Sequence, residues 1–299
     1  YGHVSVPQGE TARGLAQLKF PDKPLDSAKA WIEMIHRYLA GILGLLILAI
    51  AIMAWRQRAR QSAALPLFLL GVVIVQALLG MWTVTLLLKP AVVALHLLGG
   101  MATLALLCWL TLRQYGLPLA DRAAAKNLGV WARLGLVLLI LQIALGGWVS
   151  TNYAALACAD FPWCHGQLIP EMDFANAFHF FRALGVTAQG EPLSNAALNA
   201  IHWTHRAGAL LVFIYLAPLA CLAIAARALR GYGALLLALL CLQLSLGIAN
   251  VLFSLPLPLA VAHNAVAALL LLALVMLNFK LQPAGGAHAA AEKSIGEPA

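Results

Sequence analysis

The sequence predicts an all-α polytopic membrane protein, on the grounds of its composition, its long apolar stretches and an internal repeat. Of its 299 residues, 63% are hydrophobic and 10% are charged, whereas soluble domains are about 45–50% apolar and about 25% charged. So few charges exclude both a water-soluble globular domain and a disordered chain. Uninterrupted apolar stretches of about 20 residues favour membrane helices over barrel strands, whose side chains alternate between two environments.

Seven stretches are long and apolar enough to cross a bilayer as helices. They are residues 33–55, 64–88, 91–112, 129–150, 201–226, 232–253 and 256–279. Residues 1–32 and 151–200 are too polar to lie within the bilayer. Residues 281–299 are predicted to be a disordered tail.

The arginines and lysines orient these helices. Most of them fall in the links that an alternating path puts on one side, and the positive-inside rule makes that side cytoplasmic. They are Arg56, Arg58, Arg60, Arg113, Arg122, Lys126, Arg133, Arg227, Arg230, Lys280 and Lys293. Tyr1 is then predicted outside and the C-terminus in the cytoplasm. Topology therefore accounts for the net charge of +8, and no nucleic-acid partner is expected.

The chain repeats itself. Segment 33–37 (EMIHR) resembles segment 202–206 (HWTHR), and QALLG at 76–80 resembles QLSLG at 243–247. The shift between matching positions stays within 167 to 169 residues, which predicts two parallel four-helix repeats. We assign residues 1–127 to the N-terminal repeat and 128–280 to the C-terminal repeat. The second repeat has four helices and the first has three, so we expect an eight-helix parent whose first helix precedes Tyr1.

Four histidines occupy equivalent places in the repeats, each near the outer end of a predicted span: His36, His96, His205 and His263. Histidine within a span is costly and usually functional. Two imidazoles from facing helices can bind a haem iron at both axial positions. The pattern therefore predicts one haem-sized site in each repeat. The alternative is that each histidine caps a helix or bonds to a neighbour.

The repeats differ three residues before the first histidine. Glu33 precedes His36, where the second repeat has His202 before His205, and residues three apart share a helix face. A carboxylate at a haem edge can transfer protons or stabilise a developing cation. We therefore expect chemistry at the first site and a permanent cofactor at the second. Pairing of Glu33 with Arg37 or a lysine is the alternative.

Two further pairs of residues leave alternatives open. Arg37 and Arg206 follow their histidines, where a guanidinium suits either haem propionates or lipid headgroups. Cys158 and Cys164 lie in the outer loop, where an oxidising compartment favours a disulfide. This disulfide either braces the loop or passes electrons. The QxxLG elements are interpreted as packing sites, because glycine permits close helix approach.

These segments resemble the haem A synthase family of the proteobacterial and mitochondrial type. The resemblance rests on EMIHRYLAG at 33–41, STNYAALACADFPWCHG at 150–166, IHWTHRAG at 201–208 and AHNA at 262–265. It covers residues 1–280 and implies an eight-helix, pseudo-twofold enzyme that oxidises the C8 methyl of haem O to a formyl, giving haem A for cytochrome oxidase. The sequence departs from the family pattern in lacking the first helix and the cysteine pair of the first loop.

The resemblance also implies residue roles. His205 and His263 would bind the iron of haem b, His36 and His96 would mark the site of the substrate haem O, and Glu33 matches the functional glutamate.

A bacterial inner membrane is the implied location, with both haem sites near its outer face. Haem O synthase and cytochrome oxidase assembly factors are candidate partners, and a homo-oligomer is compatible with the pattern. The rival interpretations are a di-haem electron-transfer cytochrome without turnover and a haem carrier.

Overall fold

The computed structural model describes residues 6, 9–19, 26–59, 61–115 and 122–282. Within these ranges the chain is helical, and its only β-type pairing is two isolated bridges. The helices are α1 (Glu10–Lys19), α2 (Ser27–Arg56), α3 (Ala64–Thr85), α4 (Pro90–Gln114), α5 (Arg122–Thr151), α6 (Phe174–Ala177), α7 (Asn195–Ala225), α8 (Arg230–Leu252) and α9 (Leu257–Lys280). A short 3-10 helix, Arg227–Leu229, leads into α8.

Seven of these helices are long and apolar enough to cross a membrane, as the sequence predicts. They are α2, α3, α4, α5 from Leu128 onward, α7, α8 with its 3-10 turn, and α9. Each matches one predicted span within a few residues at most ends. The all-helical, polytopic fold class is therefore confirmed.

Two helices begin six residues earlier than their apolar stretches. Helix α2 begins at Ser27 because the Asp26 carboxylate accepts the amide N–H groups of Ala28 and Lys29. Helix α7 begins at Asn195, where the Ser194 hydroxyl accepts the Ala197 N–H. Capping residues satisfy free amides without adding hydropathy, so the apolar pattern does not register these turns. His36 and His205 consequently lie about two and a half to three turns inside their helices, and not at the helix ends.

The chain divides into two compact units, residues 1–75 and 76–299. In the first unit, α2 buries Met34, Ile47, Ala51 and Ala54, while most of its large apolar side chains are exposed. Such exposure is ordinary for a helix that faces lipid. The assignment of residues 1–127 and 128–280 to two repeats stays a prediction.

The second unit contains the main core. Helices α5, α7, α8 and α9 pack around fully buried leucines, and α4 packs on α5 and α9. The Asn278 amide crosses from α9 to donate to the Ala132 carbonyl of α5. The segment between α5 and α7 covers the ends of these helices, where the Trp148 indole donates to the Ala177 carbonyl. The core thus fixes α5, α7 and α9, which carry the candidate site.

Some predictions lie outside the described residues. These are the environment of Tyr1 and all of the predicted tail beyond Gln282.

Candidate functional site

The structure brings His205 of α7 and His263 of α9 close enough to interact electrostatically. Both imidazoles are partly buried in the second unit, and the two helices are held by their shared contacts with α5 and α8. The two predicted ligands of the C-terminal repeat thus lie in the same helix cluster, and their binding of one haem stays a prediction.

Helix α5 shapes the surroundings of His205. The Gln142 side-chain nitrogen lies 3.0 Å from His205 Nδ1 and donates to the His205 carbonyl at 2.9 Å. One turn later, a Cβ on Gly146 would lie only 3.1 Å from His205 Cε1. Glycine therefore makes room for the ring, while the glutamine holds its edge.

Helix α8 treats His263 in a similar way. The Gln243 side-chain nitrogen lies 3.1 Å from His263 Nε2, and a Cβ on Gly247 would lie 3.2 Å from His263 Cε1. The Nδ1 atom of His263 is buried and has no hydrogen-bond partner among the described residues. This ring thus has an unsatisfied nitrogen within the membrane-spanning core.

His96 of α4 lies against a glycine of α3, as His205 and His263 lie against glycines of α5 and α8. A Cβ on Gly80 would lie 3.1 Å from His96 Cε1. The Gln76 side chain fills the space beside Gly99, where an added Cβ would come within 1.7 Å of its nitrogen. Sequence reasoning treated the QxxLG elements as packing alone and missed the glutamines. The missed signal was the equal spacing of 20 residues from Gln76 to His96 and from Gln243 to His263.

Glu33, His36 and Arg37 lie on α2 in the first unit. Their side chains are exposed, and the Arg37 guanidinium pairs with the Glu33 carboxylate. The alternative foreseen for Glu33, an ion pair with Arg37, is therefore present. Such an exposed pair stabilises a helix by less than about 1 kcal/mol. The Glu33 carboxylate can therefore leave Arg37 and bind another group at little cost in free energy.

Cys158 and Cys164 form the predicted disulfide, with Cα atoms 4.6 Å apart. The Arg206 guanidinium donates to three carbonyls of this loop, those of Cys158 at 2.5 Å and of Asp160 and Trp163 at 2.9 Å each. The loop is thereby attached to α7 one residue after His205. The predicted role of Arg206 toward haem propionates stays a prediction.

His202 and Asp160 complete the attachment of the loop. The Cys158 N–H donates to His202 Nδ1 at 3.2 Å. The Asp160 carboxylate accepts the N–H groups of His165 and Gly166, each at 2.8 Å, and these bonds hold its pKa below the usual value. Gly166 adopts a left-handed backbone with φ of 73°, which costs glycine little.

Two imidazoles fit a haem better than a bare metal ion. Among the described residues no cluster of three or more His, Cys, Asp or Glu side chains could hold an ion. A porphyrin supplies four ligands itself and needs only axial ones, which histidines provide in many haem proteins. The buried, partnerless Nδ1 of His263 indicates a site with polar capacity to spare. The residues present therefore fit a haem held by His205 and His263.

Comparison with known proteins agrees with this geometry. The family model COX15-CtaA, described as Cytochrome oxidase assembly protein, matches residues 1–275. The chain belongs to this family. It is 43% identical to the Heme A synthase of Shewanella oneidensis over 282 residues, which are 94% of this chain and 85% of the relative.

Two further relatives of the family carry the same name. The Heme A synthase of Maricaulis maris is 33% identical over 263 residues, 82% of this chain and 71% of the relative. That of Halalkalibacterium halodurans is 30% identical over 184 residues, 58% of this chain and 59% of the relative.

Proposed function

We propose that this protein is a haem A synthase, an integral membrane oxidoreductase that converts the C8 methyl of haem O to a formyl group. The observation that carries the proposal is the common setting of His205 and His263, in a chain that belongs to the COX15-CtaA family. Each ring lies against a glycine and beside a glutamine of a neighbouring helix. Relatives named Heme A synthase support the reaction.

The C-terminal repeat would hold a resident haem b. His205 and His263 are its proposed iron ligands, and the haem supplies a one-electron redox centre when bound. Gly146 and Gly247 leave the space in which the two rings stand. The apolar side chains of the surrounding helices would keep water away from this site.

The N-terminal repeat would receive the substrate. His36 and His96 are the proposed contacts to haem O, and Arg37 is a proposed contact to its propionates. Conversion of a methyl to a formyl with water as the oxygen source releases four protons and four electrons, and an electron acceptor outside this chain must take up two electrons in each of two rounds. Glu33, one turn before His36 on α2, is the proposed proton acceptor. Because haem O is too apolar to diffuse freely in water, we expect it to enter the site from the bilayer.

The proposed setting is a bacterial inner membrane with both haem sites toward the outer face and the C-terminus in the cytoplasm. The distribution of Lys and Arg supports this orientation. Haem O synthase and oxidase assembly factors are the proposed partners, since one supplies the substrate and the others receive the product.

Pigment analysis of the purified protein tests the function. Expressed with a haem O source, the protein should yield haem b together with haem O, its hydroxylated form and haem A. Haem b alone would indicate an electron-transfer cytochrome, and unaltered haem O alone would indicate a carrier. His205→Ala and His263→Ala should each lose haem b, whereas His179→Ala, a histidine of the outer segment, should retain it.

A further inference from the structure

Gln142 is an amide within a membrane-spanning helix, where an unpaired polar group is costly. Both N–H groups of its side chain bond to one residue, because the side-chain nitrogen contacts the Nδ1 atom of His205 and donates to the His205 carbonyl. Only an N–H can donate to that carbonyl, so the second bond keeps the amide directed at His205.

The acceptor end of the same amide is unused. Gln142 Oε1 is buried and has no hydrogen-bond partner among the described residues. A Cβ on Gly208 would lie 2.3 Å from this oxygen. Gly208 therefore provides the space that the amide occupies. The glutamine, the histidine and this glycine fit together across the contact between α5 and α7.

The arrangement recurs between α3 and α4. Gly99 follows His96 by three residues, as Gly208 follows His205, and the Gln76 side chain fills the space beside Gly99. Gln76 precedes Gly80 by four residues, as Gln142 precedes Gly146. A glutamine therefore packs beside the glycine that follows a histidine in two helix pairs. In a third place, between α8 and α9, the Gln243 nitrogen contacts the His263 ring at 3.1 Å.

We propose that Gln142 is a positioning residue, which holds the His205 imidazole by its Nδ1 edge and leaves Nε2 for the iron of haem b. This inference rests on the proposed ligation by His205. An imidazole bound through Nε2 carries its proton on Nδ1 and needs an acceptor there. A half-turn of the amide about its last bond gives up the bond to the His205 carbonyl and presents Oε1 to that proton. One side chain thus serves the free ring as donor and the ligated ring as acceptor.

Two substitutions separate this role from a structural one, and the readout is the midpoint potential and the ferric low-spin EPR signal of bound haem b. In Gln142→Glu a carboxylate accepts the Nδ1 proton, makes the ligand more basic and lowers the potential. In Gln142→Leu no acceptor remains, so the potential rises and haem affinity falls about 10- to 100-fold. Both variants lose the bond to the His205 carbonyl, so a role limited to that bond would affect them alike.

Gly208→Ala adds a variant that leaves the amide chemically intact. Its methyl group would displace the Gln142 amide, so its potential should shift in the direction of Gln142→Leu. Combined with Gln142→Leu it should add little further shift, because both changes remove the same contact. Gly231→Ala is the matched control, since nothing lies within 4 Å of its added Cβ, and it should leave haem content, potential and EPR signal unchanged.

The result that overturns the inference is equal behaviour of Gln142→Glu and Gln142→Leu in haem occupancy, potential and EPR signal. The proposed function is judged separately from the pigments of the unaltered protein. Haem A formation with two equivalent Gln142 variants would refute the positioning role alone. Opposite shifts in potential without any haem A would refute the synthase activity alone.

Discussion

Replacement of Gly247 by alanine should weaken haem b binding through a clash with His263. The added Cβ would lie 3.2 Å from Cε1 and 3.7 Å from Nδ1 of the ring. Ordinary carbon contacts begin near 3.5 Å, so the ring must move by a few tenths of an ångström. The ring cannot move freely, because Gln243 contacts its Nε2 atom.

The size of the effect follows from the small displacement. Overpacking of a core by one methyl group costs about 1–3 kcal/mol, and a shift of this size belongs at the lower end. About 1 kcal/mol corresponds to roughly fivefold weaker haem affinity. Alanine also favours a helix over glycine by about 0.5–1 kcal/mol, so thermal stability of the haem-free protein should change little while haem affinity falls.

The assay is haem titration of the purified protein by absorbance, together with its thermal unfolding. Gly231→Ala on the same helix is the control, because its Cβ meets open space and it should retain full haem affinity. Equal haem affinity in Gly247→Ala and Gly231→Ala would show that His263 is not confined by Gly247, and the argument from close approach would fail.

Three further predictions concern residues outside this contact. Glu33→Gln should lower haem A formation by at least about a hundredfold while haem b is retained, as expected for loss of a general base; full haem A output in the pigment assay would refute the role. Arg182, only 2% exposed, bonds to the Asn152 side chain, so Arg182→Met should destabilise the protein by about 1–3 kcal/mol in thermal unfolding without changing the haem spectrum. Asp160 has a lowered pKa because backbone N–H groups bind its carboxylate, so its contribution to loop stability is present above the ordinary carboxyl pKa and is lost as pH falls through the lower, folded value. Disulfide reduction by a phosphine, followed against pH, should accelerate in acid, and Asp160→Asn should react fast at every pH.

The sequence predicted the spans well because hydropathy alone sets them. The apolar stretch of α9 has no capping side chain that would lengthen the helix beyond it. The observed bounds of α9 therefore differ from the prediction by one residue. The starts of α2 and α7 were predicted too late because Asp26 and Ser194 add whole turns through capping bonds, which depend on local geometry and not on apolar content.

The candidate site was predicted in part. The repeat gave His205 and His263 equivalent positions, and their joint binding of one haem stays a prediction. The role of Gln142 was missed because the sequence does not show whether a single glutamine in an apolar helix contacts a neighbouring helix or a ligand-binding residue. The attachment of the loop by Arg206 joins residues more than 40 positions apart, and no local pattern reports such a contact.

The geometry also bears on the disulfide, for which the sequence left bracing and electron transfer open. Arg206 donates to carbonyls on both sides of the Asp160 turn, and Asp160 itself accepts two amides of the loop. The loop is thus held by several bonds besides Cys158–Cys164. Because the Arg206 bonds start on α7 beside His205, the shape of the loop and the position of a proposed haem ligand are mechanically linked. This arrangement favours a brace, since a fixed loop holds the segment of α7 around Arg206 and His205 in place.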